Sequence, residues 1–347
     1  MFNALRTTLN TFFSLNRLGR GNGALFLLLS FGAIGTQISV FTHLVLGFTA
    51  ALWYNGFNDL CDYEIDREAY PNGAPRKVLL NGAMSPRALW AWLVLLTSLS
   101  LVLLLVDARM GPLPLALFAG SIGCSFLYSR YSKYFERPSV LKFSLLDAIV
   151  GGPFFLFYAS LALTANPGPS PLVVLAATGS LLLFGLWGNY VYAAKDLSTD
   201  EASTRTLPML LGARVNESGK VEHALPGLLY HSFHALLLLA LFAYVAWKGH
   251  WFGIPMALAT LWSHMQICSG RVSERCHKKI FIRSSNWEMV FLIALHLSFF
   301  SPSSLALLLG MALTIISLNV AYSHDPAKPT ALMLRLPWAK RRQVQRA

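Results

Sequence analysis

Charge is scarce in this chain: Asp, Glu, Lys and Arg make up 13% of its 347 residues, against 55% hydrophobic residues and a mean hydropathy of +0.51. A soluble domain carries about twice that charged fraction, so a water-soluble globular fold is excluded. Cysteine is also rare. The four present (Cys61, Cys124, Cys268 and Cys276) show no CxxC spacing, which argues against a disulfide framework and gives no sign of a zinc site. The first twenty residues hold Arg6, Arg17 and Arg20 but no acid. Because no AxA-like cleavage site precedes the first hydrophobic run, this segment reads as a basic interfacial helix rather than a transit peptide.

What the chain has in abundance is apolar runs long enough to cross a hydrocarbon core of about 30 Å. They lie near 22–41, 43–62, 88–107, 112–129, 141–164, 171–195, 223–247, 252–268, 286–300 and 303–322, the ninth being short for a full span. The expected fold is an all-α polytopic membrane protein of nine or ten transmembrane helices, with residues 1–347 forming one membrane domain. Of the 28 lysines and arginines, 26 fall in the segments 1–21, 63–87, 130–142, 195–222, 269–285 and 323–347, leaving only Arg109 and Lys248 elsewhere. Such partition places both termini and the long loops in the cytoplasm. The net charge of +12 is therefore mostly topology, and its dispersal over six segments excludes a nucleic-acid-binding stripe.

Five of the sixteen acids (Asp59, Asp62, Glu64, Asp66 and Glu68) crowd into ten residues at one membrane boundary. On an α-helix, Asn58, Asp62, Asp66 and Asp59 fall within an arc of about 100°, with Glu64 on the other side. Like charges so arranged repel unless a cation lies between them. Four spans later, Asn189, Tyr192, Asp196 and Asp200 are also spaced as helical neighbours. The two clusters suggest two four-helix units, 22–129 and 141–268, that present carboxylates to one cytoplasmic mouth, followed by a C-terminal helix or helices over 286–322. Hard divalent ions take oxygen ligands, and Mg²⁺ uses a few carboxylates while leaving positions for phosphate oxygens. Asn58, Asp59, Asp62, Asp66, Asp196 and Asp200 are thus candidate metal ligands, and the implied substrate is a diphosphate. Arg67, Arg76, Lys77, Arg130, Lys133 and Lys195 lie in the adjoining loops, where they can bind its oxygens.

The run Asn58-Asp59-Leu60-Cys61-Asp62-Tyr63-Glu64-Ile65-Asp66 resembles the NDxxDxxxD motif of the UbiA superfamily of intramembrane prenyltransferases. Tyr192-Ala193-Ala194-Lys195-Asp196-Leu197-Ser198-Thr199-Asp200 resembles its second motif, YxxKDxxxD, and Thr206-Leu207-Pro208 with Gly212 resembles the tract beyond that motif. The resemblance covers the first six or seven spans; the last hundred residues match no motif. It implies a UbiA-like helical bundle, usually of nine spans, in which Mg²⁺ and the Asp-rich motifs bind a polyprenyl diphosphate at the cytoplasmic side. The prenyl tail would lie in an apolar chamber open to the lipid bilayer. Two positions depart from the family pattern. Lys77 and Val78 stand where an Arg-Pro pair is usual, and Ser203 or Thr204 replaces a glycine before the TLP tract.

Asp62, Asp66, Asp196 and Asp200 are accordingly the expected catalytic carboxylates. Asp147, an ionisable group on the fifth span, is a candidate base for an acceptor or the partner of Lys142. Asn189, Tyr192 and Tyr128, whose segment continues through Ser129 and Arg130 to the same mouth, are candidate substrate contacts. His231 and His234 share a face of the seventh span, but without a third ligand in view they read as hydrogen-bonded interior histidines. The leading expectation is prenyl transfer to an aromatic or other lipophilic acceptor. A UbiA-type terpene cyclase, needing no acceptor, is the alternative. A transporter fits poorly, because transporter carboxylates usually sit near the midplane on broken helices.

Overall fold

The computed structural model describes residues 40–71, 77–106, 112–131, 149, 151–153, 155–157, 159–160, 189–195, 197–200, 206–249, 251, 253–274, 276–277 and 280. The expected spans near 286–300 and 303–322, nearly all of 22–41, and most of 141–164 and 171–195 lie outside these residues. Helices dominate the described part: α1 Val40–Ala51, α2 Phe57–Cys61, α3 Tyr63–Ala69, α4 Pro86–Val106, α5 Pro112–Tyr131, α6 Leu197–Asp200, α7 Leu207–Leu210, α8 Leu225–Trp247 and α9 Gly253–Cys268. Proline marks several starts. Pro86, Pro112, Pro208 and Pro226 each lie in a first turn, where the missing N–H breaks no intrahelical bond. Ser85 accepts the Ala88 N–H at 3.2 Å ahead of α4, a side-chain cap that fixes where that helix begins.

Among the described residues, three helices are long and apolar enough to cross a bilayer, at Pro86–Val106, Pro112–Arg130 and Leu225–Trp247. Their outward faces are apolar: Val94, Leu95, Val102 and Leu105 on α4, and Leu229, Phe233 and Leu236 on α8, are all exposed. A surface of this kind suits lipid. The inward face of α8 buries Ala235, Leu238, Phe242 and Val245 in a core shared with Leu46, Tyr54, Phe118 and Tyr190. Trp247 and Trp251 are 76% and 75% exposed at the turn between α8 and α9, and Lys248 lies over the Trp247 ring at 4.7 Å. An aromatic and basic girdle is what an interfacial turn carries.

Polar side chains tie the helices together in the absence of a hydrophobic drive between them. Thr49 on α1 meets Ser100 Oγ on α4 at 2.7 Å and donates to the Val45 carbonyl. Trp53 Nε1 donates to Thr97 Oγ1 at 2.8 Å. On α5, Ser121 donates to the Pro153 carbonyl at 2.7 Å, which holds the helical residues 151–153 against that helix.

Among the described residues, a short hairpin departs from helix. Strands β1 Arg214–Val215 and β2 Val221–Glu222 pair antiparallel, and the Val221 N–H reaches the Val272 carbonyl beyond α9 at 2.9 Å. Asn216 builds the turn by accepting the N–H groups of Ser218 and Lys220, with Gly219 at φ +71° closing it. Asn216 and Arg214 also hydrogen-bond Glu222, keeping its carboxyl below the usual range. The hairpin ties the segment after α7 to the end of α9.

Candidate active site at two helix ends

The first acidic cluster is reached through a π-helical turn. Leu52–Gly56 has the Phe57 N–H bonded to the Leu52 carbonyl five residues back, and the buried Asn55 side chain donates to the Ala51 carbonyl at 3.2 Å. Such one-turn widenings are uncommon and concentrate at functional sites. Beyond it, the continuous helix expected through Asp66 is interrupted at Asp62, whose backbone (φ −87°, ψ −2°) separates α2 from α3. The face survives this break. The Asp62 N–H still bonds the Asn58 carbonyl at 3.0 Å, and the Asp66 N–H bonds the Asp62 carbonyl at 2.8 Å. Asn58, Asp62 and Asp66 therefore stay one helical turn apart.

Asn58 donates its side-chain N–H to Asp62 Oδ2 at 3.0 Å. Its other end, Oδ1, is buried and has no hydrogen-bond partner among the described residues. A buried amide oxygen left in that state costs about 1–3 kcal/mol unless a ligand meets it. Asp66 forms an ion pair with Lys77, whose ammonium also lies 5.4 Å from the Tyr70 ring centroid. Burial raises the Asp66 pKa, Lys77 opposes that rise, and the charges of Asp62 and Asp59 add to it. The Asn58 amide oxygen and the carboxylates of Asp59, Asp62 and Asp66 are oxygen ligands of the kind that Mg²⁺ takes.

Lys77 is held in place by the segment leading from it to α4. Val78 and Leu79 are buried against Leu52, Phe57, Leu89 and Leu93, the Leu80 and Asn81 N–H groups close a turn on the Lys77 carbonyl, and Gly82 exits at φ +74°. A left-handed exit of this sort is the conformation glycine adopts without steric cost. Arg67 is positioned otherwise. Its guanidinium pairs with Glu64 at 2.6 Å, with both side chains more than 60% exposed, and lies over the Tyr63 ring. Arg130 is exposed at the end of α5, while Tyr128 stacks on Tyr54 at 5.2 Å with the rings 5° from parallel. Arg76, Lys133, Asp147 and Asp196 lie outside the described residues.

The second cluster corrects the helical-arc expectation. Residues 189–192 form a π turn and Ala193–Lys195 a 3₁₀ turn, with α6 beginning at Leu197. Asn189 and Tyr192 therefore do not follow the 100° step of an α-helix, while Asp196, also on the expected arc, lies outside the described residues. Lys195 instead folds over the Tyr192 ring at 4.3 Å. Asp200 ends α6. A π turn thus leads into each motif, ending just before the first and on Tyr192 of the second, a structural repeat that hydrophobic periodicity does not reveal.

Glu274 is a residue that sequence reasoning missed. From beyond α9 its carboxylate accepts the Ser198 N–H at 2.6 Å and the Ser198 hydroxyl at 2.9 Å, capping the free donors at the start of α6. The only sequence signal was an acid between Arg271 and Arg275 in a basic loop. Glu274→Ala should destabilise α6 by roughly 1 kcal/mol, the contribution of such a cap, and lower kcat by loosening the second motif. Glu274→Gln should recover part of that loss. Steady-state rates of the two variants check this, and unchanged kcat in Glu274→Ala would refute it.

Besides Gln266 Oε1 on α9, two further buried oxygens have no partner among the described residues: Ser129 Oγ, beside Tyr128, and Thr206 Oγ1, which opens the TLP tract. Together with Asn58 Oδ1, they give one unpartnered oxygen to each of three segments singled out from sequence.

The UbiA prenyltransferase family profile matches residues 23–287. No curated protein sequence matches. Three solved structures are similar, each at 16% identity. A structure of digeranylgeranylglyceryl phosphate synthase covers 83% of this chain and 97% of its own, with a TM-score of 0.60. A UbiA homolog from Archaeoglobus fulgidus bound to DMAPP and Mg²⁺ covers 89% and 99% (TM-score 0.54). The same homolog bound to GPP and Mg²⁺ covers 88% and 99% (TM-score 0.52).

Proposed function

This chain belongs to the UbiA prenyltransferase family, and from that premise we propose that it transfers a prenyl group from a prenyl diphosphate to an aromatic or other lipophilic acceptor within the bilayer. The observation that carries this reading is the array of Asn58, Asp62, Asp66 and Lys77, with its buried unpartnered amide oxygen. The ligands of the Archaeoglobus relative, DMAPP and GPP with Mg²⁺, support the same substrate class here.

Asn58, Asp59, Asp62 and Asp66 from the first motif, with Asp196 and Asp200 from the second, would hold Mg²⁺. Held there, Mg²⁺ would supply the positive charge that makes the diphosphate a better leaving group. Lys77, Arg76, Arg130, Lys133 and Lys195 bind the diphosphate oxygens. The C–O bond to the prenyl carbon breaks, the diphosphate leaves with the electron pair, and the allylic cation is captured by a nucleophilic atom of the acceptor. The acceptor's proton then passes to a base, for which Asp147 is the candidate. The stacked Tyr54 and Tyr128 rings offer π-density to shelter the cation, and Asn189 and Tyr192 approach the substrate from the second motif.

The site faces the cytoplasm, at the mouth between the units 22–129 and 141–268, with 286–322 adding the last span or spans. A reporter fused to the C-terminus should sit on the cytoplasmic side. An external reporter would mean an odd number of spans. Purified protein given a panel of prenyl diphosphates, Mg²⁺ and membrane extract should release diphosphate and yield a prenylated lipid. Failure with every chain length would overturn the reading.

Lys77→Ala should raise KM for the prenyl diphosphate about tenfold, the value of a charge-assisted hydrogen bond, with Arg109→Ala as the control that does not. The substitution also removes the interaction that lowers the Asp66 pKa. With burial and the neighbouring carboxylates unopposed, that pKa rises further, so the acid limb of the pH–rate profile should move to higher pH. Equal KM effects in the two variants, or an unmoved acid limb, would count against the assignment.

A further inference from the structure

Helices α8 and α9 bring together three metal-ligating side chains that no motif predicts. His231 Nδ1 lies 2.8 Å from His264 Nδ1, and Cys268 Sγ lies 3.5 Å from His264 Nε2 and 3.7 Å from its Nδ1. One donor atom from each of the three residues falls within 4.8 Å of the others. His264 and Cys268 are one turn apart on α9, while His231 comes from α8, 33 positions earlier than His264. Contiguous cysteine spacing could not reveal such a set.

The ligand geometry and chemistry agree. Tetrahedral zinc with two nitrogens and one sulfur separates the nitrogens by about 3.3 Å and nitrogen from sulfur by about 3.6 Å, within small rotamer adjustments of the observed distances. Two imidazoles and a thiol form a borderline-soft set that favours zinc over magnesium or calcium. His231 is 1% exposed, and at that depth a polar ring needs polar company of the kind that His264 Nδ1 supplies. Cys268 is exposed at the last residue of α9. That exposure gives an ion a route in from water and leaves a fourth coordination position open there.

We propose that His231, His264 and Cys268 form a zinc site that clamps α8 to α9 and keeps one position open to water or an exogenous ligand. The Tyr190 ring lies 5.9 Å from His231, on the π turn that leads into the second motif. The clamp therefore supports that motif from behind. This site uses none of the carboxylates of the two motifs and does not depend on the prenyl-transfer reading.

The full-length protein, purified without a histidine tag, stripped with chelator and titrated with Co²⁺, should bind one equivalent and show a thiolate-to-cobalt charge-transfer band. Cys268→Ser should lose that band. His264→Ala should lower zinc content, measured by inductively coupled plasma mass spectrometry, at least tenfold, whereas Cys61→Ser and Cys276→Ser should retain it. Because an interior histidine change can disturb folding, the exposed Cys268→Ser variant also serves in thermal melts: zinc should raise the Tm of the wild type and leave this variant unmoved. Substoichiometric metal in the wild type, or a charge-transfer band that persists in Cys268→Ser, would overturn the site.

Discussion

Asp62→Ala and Asp66→Ala should each lower turnover by about 10² or more while the protein still inserts and extracts normally. Asp62 lies at the break between α2 and α3 and Asp66 one turn into α3; both are only partly buried, and neither packs in an apolar cluster. Their removal therefore costs little folding energy. The loss is one of charge, at the place where the diphosphate must be neutralised as it departs. Asp62 has a second task, accepting the Asn58 N–H and so turning Asn58 Oδ1 inward. Asp62→Asn preserves shape but removes the charge, and should be nearly as impaired as the alanine variant. EDTA should abolish wild-type activity and Mg²⁺ restore it. Full activity in both alanine variants would remove the first motif from the chemistry.

Diphosphate release should depend on the acceptor, running at least about 10² faster with the right lipophilic acceptor than without it. In a transferase and a cyclase alike the diphosphate departs with the same assistance, so carboxylate variants cannot separate the two. The distinction lies in the group that captures the cation. A transferase needs a second pocket next to the ionising carbon and a base to take the acceptor's proton. Asp147→Asn should then impair the coupled reaction while leaving diphosphate binding intact, since its role concerns the acceptor. Many turnovers of prenyl diphosphate alone to a hydrocarbon or terpene alcohol would replace the transferase with a cyclase.

The carriers of charge were legible in the sequence because a membrane chain can place few acids, and Asp59, Asp62 and Asp66 stood out against an apolar background. Apolar runs likewise announced α4, α5 and α8, since length and hydropathy are the very properties that a bilayer selects. The π turns at Leu52–Gly56 and 189–192 were not legible. Each inserts a single residue into a hydrogen-bond ladder and leaves composition unchanged. Strands of two residues, such as β1 and β2, are too short to express an alternating pattern. Their signal lay in the turn, where Asn216 and Gly219 have the residue types that close a hairpin. Glu274, and the trio of His231, His264 and Cys268, depend on contacts between segments far apart in the chain. Only the packing of α8 against α9 and the pairing of Val221 with Val272 bring them to their partners. Tyr190, meeting His223 Nδ1 at 2.8 Å, belongs to the same class.

The central claim, that the first motif binds a prenyl diphosphate through Mg²⁺, is tested most directly by calorimetric titration of purified protein with an unreactive prenyl thiolodiphosphate. Binding should appear with Mg²⁺, disappear in EDTA, and fall at least about tenfold in Asp66→Ala at the same Mg²⁺ concentration. Equal affinity with and without Mg²⁺, unchanged by Asp66→Ala, would contradict it.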